Sequence, residues 1–62
     1  MHRLLRLPEV MKYTGLARST IYKLIAAKTF PIQISLGAKA VGWLESDIEN
    51  WIQDKISRSH VN

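Results

Sequence analysis

"GLARSTIYKLIAAKTFP", residues 15–31, decides how this chain is read. It opens on a glycine and closes on a Phe-Pro pair. Between them Ile21, Leu24 and Ile25 recur at i, i+3 and i+4, the spacing that places apolar side chains on one face of a helix. Arg18, Ser19, Tyr22 and Lys23 fall on the opposite side. The spacing predicts a helix over residues 18–27. Pro31 ends any continuation and pushes Phe30 into an extended conformation. Ala17 occupies the N-cap position, where alanine is a poor cap, so either Ser19 or the backbone compensates or one N–H is left for an outside acceptor such as a phosphate. A solvated surface is one reading of the polar face. A face that meets a polyanion is the other.

Upstream, Pro8 suits the first position of a helix, because its missing N–H is not needed there. Leu7, Val10 and Met11 give that helix a short apolar face. Gly15 can take the left-handed conformation that stops it near Tyr13 or Thr14, and Leu16 packs back.

Downstream, "PIQISLGAKAVGWL", residues 31–44, alternates Ile32, Ile34 and Leu36 with Gln33 and Ser35, the period of a half-buried strand. Gly37-Ala38-Lys39 reads as a tight turn, and Val41 and Trp43 alternate beyond it. The expectation is a small β-hairpin with a basic tip, its glycines serving turn geometry. A third helix opens near Glu45 or Ser46, with Ser46 and Glu49 at capping-box spacing. Glu45, Asp47 and Glu49 lie at the positive end of its dipole. Leu44, Ile48, Trp51, Ile52 and Ile56 form its apolar stripe. Trp43 and Trp51 are expected in the core, not as stacking platforms. Residues 58–62 read as a flexible tail after a single domain over residues 3–57.

With 62 residues and no Cys there is no disulfide and no thiolate metal site. The hydrophobic content of 47% fits a folded domain, not a disordered one. No apolar run approaches a membrane span, and "MHRLLRLPEV" lacks the apolar core of a signal peptide, so a cytoplasmic, nucleoid-associated protein is expected. His2 and His60 stand at opposite ends, a poor metal pair. Ser19 has no nearby base, and the glycines lack phosphate-loop spacing. No enzyme, metal, cofactor or small-molecule ligand is expected.

Charge is uneven. Residues 1–44 carry Arg3, Arg6, Lys12, Arg18, Lys23, Lys28 and Lys39 against Glu9 alone, a net +6. Residues 45–62 carry Glu45, Asp47, Glu49 and Asp54 against Lys55 and Arg58, a net −2. Such asymmetry suits a polyanion met from one side, although a basic soluble protein without a nucleic-acid role has the same balance.

A short helix, a glycine-containing turn and a second helix with a polar face make a helix-turn-helix. The N-terminal part of the second helix then meets base edges in the major groove, which assigns Arg18, Ser19, Thr20, Tyr22 and Lys23. Arg pairs bidentately with guanine, and Ser or Thr bonds donors or acceptors alike. Thr20 borders the core face, and Tyr22 fits a phosphate bond or a loose surface contact equally. Lys28, Gly37, Lys39 and Arg6 are assigned to the backbone and the hairpin wing, where small residues around Lys39 allow close approach.

"RLPEV", "TGL.RSTIY", "FP" followed by "LG", and "VGWLESDIENWI", in that order over about residues 3–53, resemble the AlpA-type prophage regulators of the MerR-like, excisionase-like winged helix-turn-helix group. The resemblance implies a mainly α fold of three helices with a small β-hairpin wing. Its recognition helix would lie in residues 18–23 and its wing around residues 37–39. It also implies a prophage role, as a transcriptional regulator or as an excisionase that bends attachment-site DNA. Ala17 stands where the family usually has Ser, and Thr29 where Gly is common before Phe-Pro. Double-stranded DNA is the expected partner, bound by pairs or arrays on repeated sites. A protein-interaction module with a basic face is the rival from another class.

Overall fold

The computed structural model describes residues 2–59. A strand β1 at Leu4–Leu5 leads into helix α1, Leu7–Thr14, and helix α2, Arg18–Ala26. Two more strands follow, β2 at Ile34–Ser35 and β3 at Val41–Leu44, and then helix α3, Glu45–Ser59. The architecture is mainly α, a winged helix-turn-helix with a three-stranded sheet of order β1-β3-β2. Both pairings are antiparallel: Leu4 faces Leu44 and Leu5 faces Trp43 on one side of β3, and Ile34 faces Gly42 and Ser35 faces Val41 on the other.

Each buried side chain comes from a different segment. Leu5, Val10, Ile21, Trp43 and Ile48 belong to β1, α1, α2, β3 and α3, and Phe30 to the link between α2 and β2. Leu7, Met11, Leu16, Leu24, Ile25, Trp51 and Ile52 pack around them. At about 1.5–3 kcal/mol per large side chain removed from water, losing any one of the six takes a large share of a small domain's stability. Strand β2 adds no buried side chain, so the wing hangs on its ladder to β3.

Several local expectations are corrected. Alternation assigns nothing to residues 4–5, yet β1 is the edge that closes the sheet; a two-residue strand is too short to show a period. The expected strand over residues 32–36 narrows to Ile34–Ser35. Ile32 is 79% exposed, and Ile34 and Leu36 are only partly covered. The reason lies in the preceding carbonyls: Pro31 O accepts the Trp43 indole N–H at 3.1 Å and Thr29 O accepts that of Trp51 at 2.9 Å. That segment is tied to the core by indoles instead of joining the ladder.

Gly42 is a strand residue, not a turn residue. A Cβ there would stand 2.9 Å from Leu36 Cδ1 and 3.0 Å from the Leu5 carbonyl oxygen, so only glycine lets both neighbours of β3 close in. Helix α1 begins at Leu7, with Pro8 second, and the Glu9 carboxylate accepts the Arg6 backbone N–H at 3.0 Å. Helix α3 begins at Glu45 directly from β3, which puts Ser46 inside the first turn and leaves no N-cap role for it. The Glu45 N–H goes to the Arg3 carbonyl at 2.8 Å instead. Ile56, on the expected apolar stripe, is 42% exposed because α3 outruns the body that its first three turns pack against. The helix continues through Arg58, which pairs with Asp54 at 3.1 Å, and Ser59; residues 60–62, including His60, lie outside the described residues.

Candidate nucleic-acid interface

The turn between α1 and α2 is locked by local chemistry. Gly15 takes the left-handed conformation at φ 72°, and its N–H closes onto Met11 O at 2.8 Å. The Thr14 hydroxyl donates to Val10 O at 2.8 Å and accepts the Leu16 N–H at 3.2 Å. Leu16 is thereby turned toward the core and α2 is launched at a set angle.

Helix α2 starts from Ala17 in extended conformation, with no side-chain cap. Its first N–H groups, at the positive end of the helix dipole, are thus not capped by the Ala17 side chain. Ile21 is fully buried, and Leu24 and Ile25 are half-buried beside it. That anchoring turns Arg18, Ser19, Tyr22 and Lys23 outward, and all four are exposed. Thr20 is half-buried, at the border where its helical position puts it.

The far end of α2 is a Schellman motif. Thr29 N–H bonds Leu24 O and Lys28 N–H bonds Ile25 O, both at 3.0 Å, with Lys28 left-handed at φ 61°. A lysine here carries the steric cost that glycine avoids. The strain holds an exposed cation at the exit of the helix.

In the wing, Leu36 N–H bonds Ala40 O at 2.8 Å and Ser35 Oγ donates to Gly37 O at 3.2 Å. Gly37 and Lys39 are exposed in the turn so closed. Arg6 is exposed at the N-cap of α1. Arg18, Ser19, Tyr22 and Lys23 thus share one helix face, whereas Arg6, Gly37 and Lys39 stand on other elements.

The ion pairs sort the cations into two groups. Arg3 bridges Glu45 at 3.1 Å and Glu9 at 3.5 Å, Arg58 is held by Asp54, and Lys55 Nζ lies 5.2 Å over the Trp51 ring. Among the described residues, Arg6, Lys12, Arg18, Lys23, Lys28 and Lys39 form no ion pair. Lys12, outside the expected set, joins them on α1 as an exposed cation; its charge was visible in the sequence but not its lack of a partner. Among the described residues no cluster of metal-ligating side chains occurs, and no helix is long and apolar enough to cross a membrane.

A second polar cluster centres on Glu45. Glu45 accepts from both Arg3 and the Tyr13 hydroxyl, so the residue before β1, helix α1 and helix α3 meet on one carboxylate. The Tyr13 pKa is raised above 10, first by the hydrogen bond to Glu45, then by burial and by the charges of Glu45 and Glu49, against a smaller opposing effect of Arg3.

Comparison with known proteins agrees with this architecture. The family model described as "Prophage CP4-57 regulatory protein (AlpA)" matches residues 3–61. An uncharacterised protein, ORF88, of Enterobacteria phage P4 is 53% identical over 55 residues, which are 89% of this chain and 62% of that protein. The chain thus spans less than two thirds of the phage protein's length. The "DNA-binding transcriptional activator AlpA" of Escherichia coli strain K12 is 44% identical over 59 residues, 86% of this chain and 84% of that protein. No solved structure matches. With nearly its whole length matched by the family model, the chain belongs to the AlpA family of prophage regulatory proteins.

Proposed function

We propose that the chain is a sequence-specific, DNA-binding transcriptional regulator of prophage type. Helix α2 enters the major groove with Arg18, Ser19, Thr20, Tyr22 and Lys23 at the bases or their flanking phosphates. The wing, through Gly37 and Lys39, meets the backbone or the adjacent minor groove, and Lys28 and Arg6 neutralise phosphates. The observation that carries this reading is the split among the cations. Among the described residues, those on the helix-turn-helix and wing are exposed and form no ion pair, while Arg3 and Arg58 are ion-paired and Lys55 lies over the Trp51 ring. Unpaired cations on one set of elements are the electrostatic footprint of a protein that displaces counterions from DNA. The relationship to the Escherichia coli activator supports the same class.

Titration of random-sequence duplex at several salt concentrations tests it. Each phosphate contact adds about 0.9 to the negative slope of log K against log salt. The slope should be steep in wild type and flatten in an Arg18→Ala/Lys23→Ala variant. Absence of binding at low salt by folded protein would turn the basic surface toward an acidic protein partner instead.

A further inference from the structure

We propose that the groove beside Trp51 is a self-association face, on which two copies of the chain pair about a two-fold axis with their α3 helices antiparallel. The groove is shallow, about 530 Å³, and lined by Pro31, Ile32, Asp47, Asn50 and Trp51. Ile32 is 79% exposed, the most exposed large hydrophobic side chain among the described residues, and it lies against this groove. An aliphatic side chain so presented beside an indole loses its hydration cost only when something covers it.

The charge order along α3 says what covers it. Asp47, Trp51 and Lys55 are four residues apart and form one stripe. Asp47 and Trp51 line the groove, and the Lys55 ammonium lies 5.2 Å over the Trp51 ring. The stripe therefore reads acid, aromatic, base, with the backbone positions of Asp47 and Lys55 each about 6 Å from that of Trp51 along the helix. Two-fold contacts are isologous: whatever residue i meets in the partner, its partner meets in return. Antiparallel pairing centred on Trp51 sets each Asp47 against the other copy's Lys55, twice. Parallel pairing sets acid against acid and base against base. The sequence of charges selects the first.

The patch is small. A stable dimer engages roughly 20–30 residues per partner, whereas five line this groove, so pairing is weak and concentration-dependent. None of Arg6, Arg18, Lys23, Lys28 and Lys39 belongs to the patch. The inference stands on the groove and stripe alone, and its test needs no DNA.

The test is sedimentation of the purified chain from about 10 μM to about 1 mM, the range expected for so small an interface. Wild type should move from monomer to dimer, and Ile32→Asp should stay monomeric. Asp47→Lys and Lys55→Asp, each confirmed folded by circular dichroism, should each stay monomeric, because each places like charges together at both ends. Their equimolar mixture should dimerise, since one variant then presents two cations and the other two anions. Wild type that stays monomeric throughout, single variants that dimerise as well as wild type, or a mixture that stays monomeric would each overturn the proposal and leave the groove to a different protein.

Discussion

The indole N–H of Trp43, at the centre of the sheet, donates to the Pro31 carbonyl at 3.1 Å and so ties the exit of α2 to β3. Trp43 is completely buried. Phe30, between the two tied carbonyls, meets the Trp51 ring edge-on with centroids 4.9 Å apart. Position 43 thus combines the largest core side chain with the bond that orients the wing relative to α2. Trp43→Phe removes part of the volume and leaves a part-buried carbonyl without its donor, for a loss of about 2–3 kcal/mol. In a domain of this size that lowers Tm by roughly 10 °C or more, since each kcal/mol shifts it about 4–8 °C. Thermal unfolding followed by circular dichroism reads it; a shift of only a degree or two would mean that Pro31 finds water at no cost.

Gly42 makes the second prediction. A methyl group at this position meets Leu5 O at 3.0 Å and Leu36 Cδ1 at 2.9 Å. The first is backbone and cannot yield; the second is the end of a flexible side chain. Gly42→Ala should therefore destabilise by about 1–3 kcal/mol. Leu36→Ala in the same chain should recover part of that, giving a coupling of at least about 0.5 kcal/mol in a double-mutant cycle. Strict additivity would sink the packing account of this glycine.

Much of this frame was legible in the sequence. The i, i+3, i+4 spacing of Ile21, Leu24 and Ile25 located α2 and its outward residues, Gly15 located the turn, and Trp43 was placed in the core. Elsewhere local pattern fails for physical reasons. Strand β1 is only Leu4–Leu5, and its partners, Leu44 and Trp43, lie about forty residues away. Gly42 looked like turn chemistry because its need for glycine comes from Leu36 and Leu5, which no window around residue 42 reveals. Lys28 hides the left-handed end of α2, a position at which glycine would have announced itself. For the candidate interface, residue types and helix position were readable. Which cations are spent internally, as Arg3 is on Glu45 and Glu9, depends on contacts across the fold.

The two ends of α2 separate stability from binding. Ala17→Ser supplies the missing cap and should stabilise by about 0.5–1 kcal/mol with DNA affinity held or improved. Lys28→Gly relieves the left-handed lysine and should stabilise by a similar amount, about 1 kcal/mol. Yet it deletes a cation, so DNA binding should weaken and the salt slope fall by about 0.9. A Lys28→Gly variant that is more stable and binds as wild type does would remove Lys28 from the interface.

The Tyr13–Glu45 contact carries a pH dependence. The folded pKa of Tyr13 is raised, so the fold favours the neutral phenol that donates to Glu45. Its contribution is complete below the unfolded value near 10 and is lost as pH rises through the higher folded value. Urea unfolding between about pH 8 and 12 should show wild type losing its advantage over Tyr13→Phe only in the alkaline part of that range. An ultraviolet difference titration of the two proteins should place Tyr13 above 10. A Tyr13 that ionises at or below 10 contradicts the bond.

Arg18 and Lys39 should fail differently. Arg18 projects from the uncapped first turn of α2, where its guanidinium can pair with both acceptors of a guanine edge. Lys39 sits exposed in the wing turn among small residues, and the proposed reading gives it a phosphate contact. On a cognate site selected from random duplexes, Arg18→Ala should cost about 1–3 kcal/mol and relax the preference at one base position. Lys39→Ala should weaken cognate and random DNA by the same factor and reduce the salt slope by about 0.9. Equal losses on all sequences for Arg18→Ala would move α2 from base edges to the backbone. A cognate-selective loss for Lys39→Ala would make the wing a reader of the minor groove, where width and A·T content, not charge alone, decide binding.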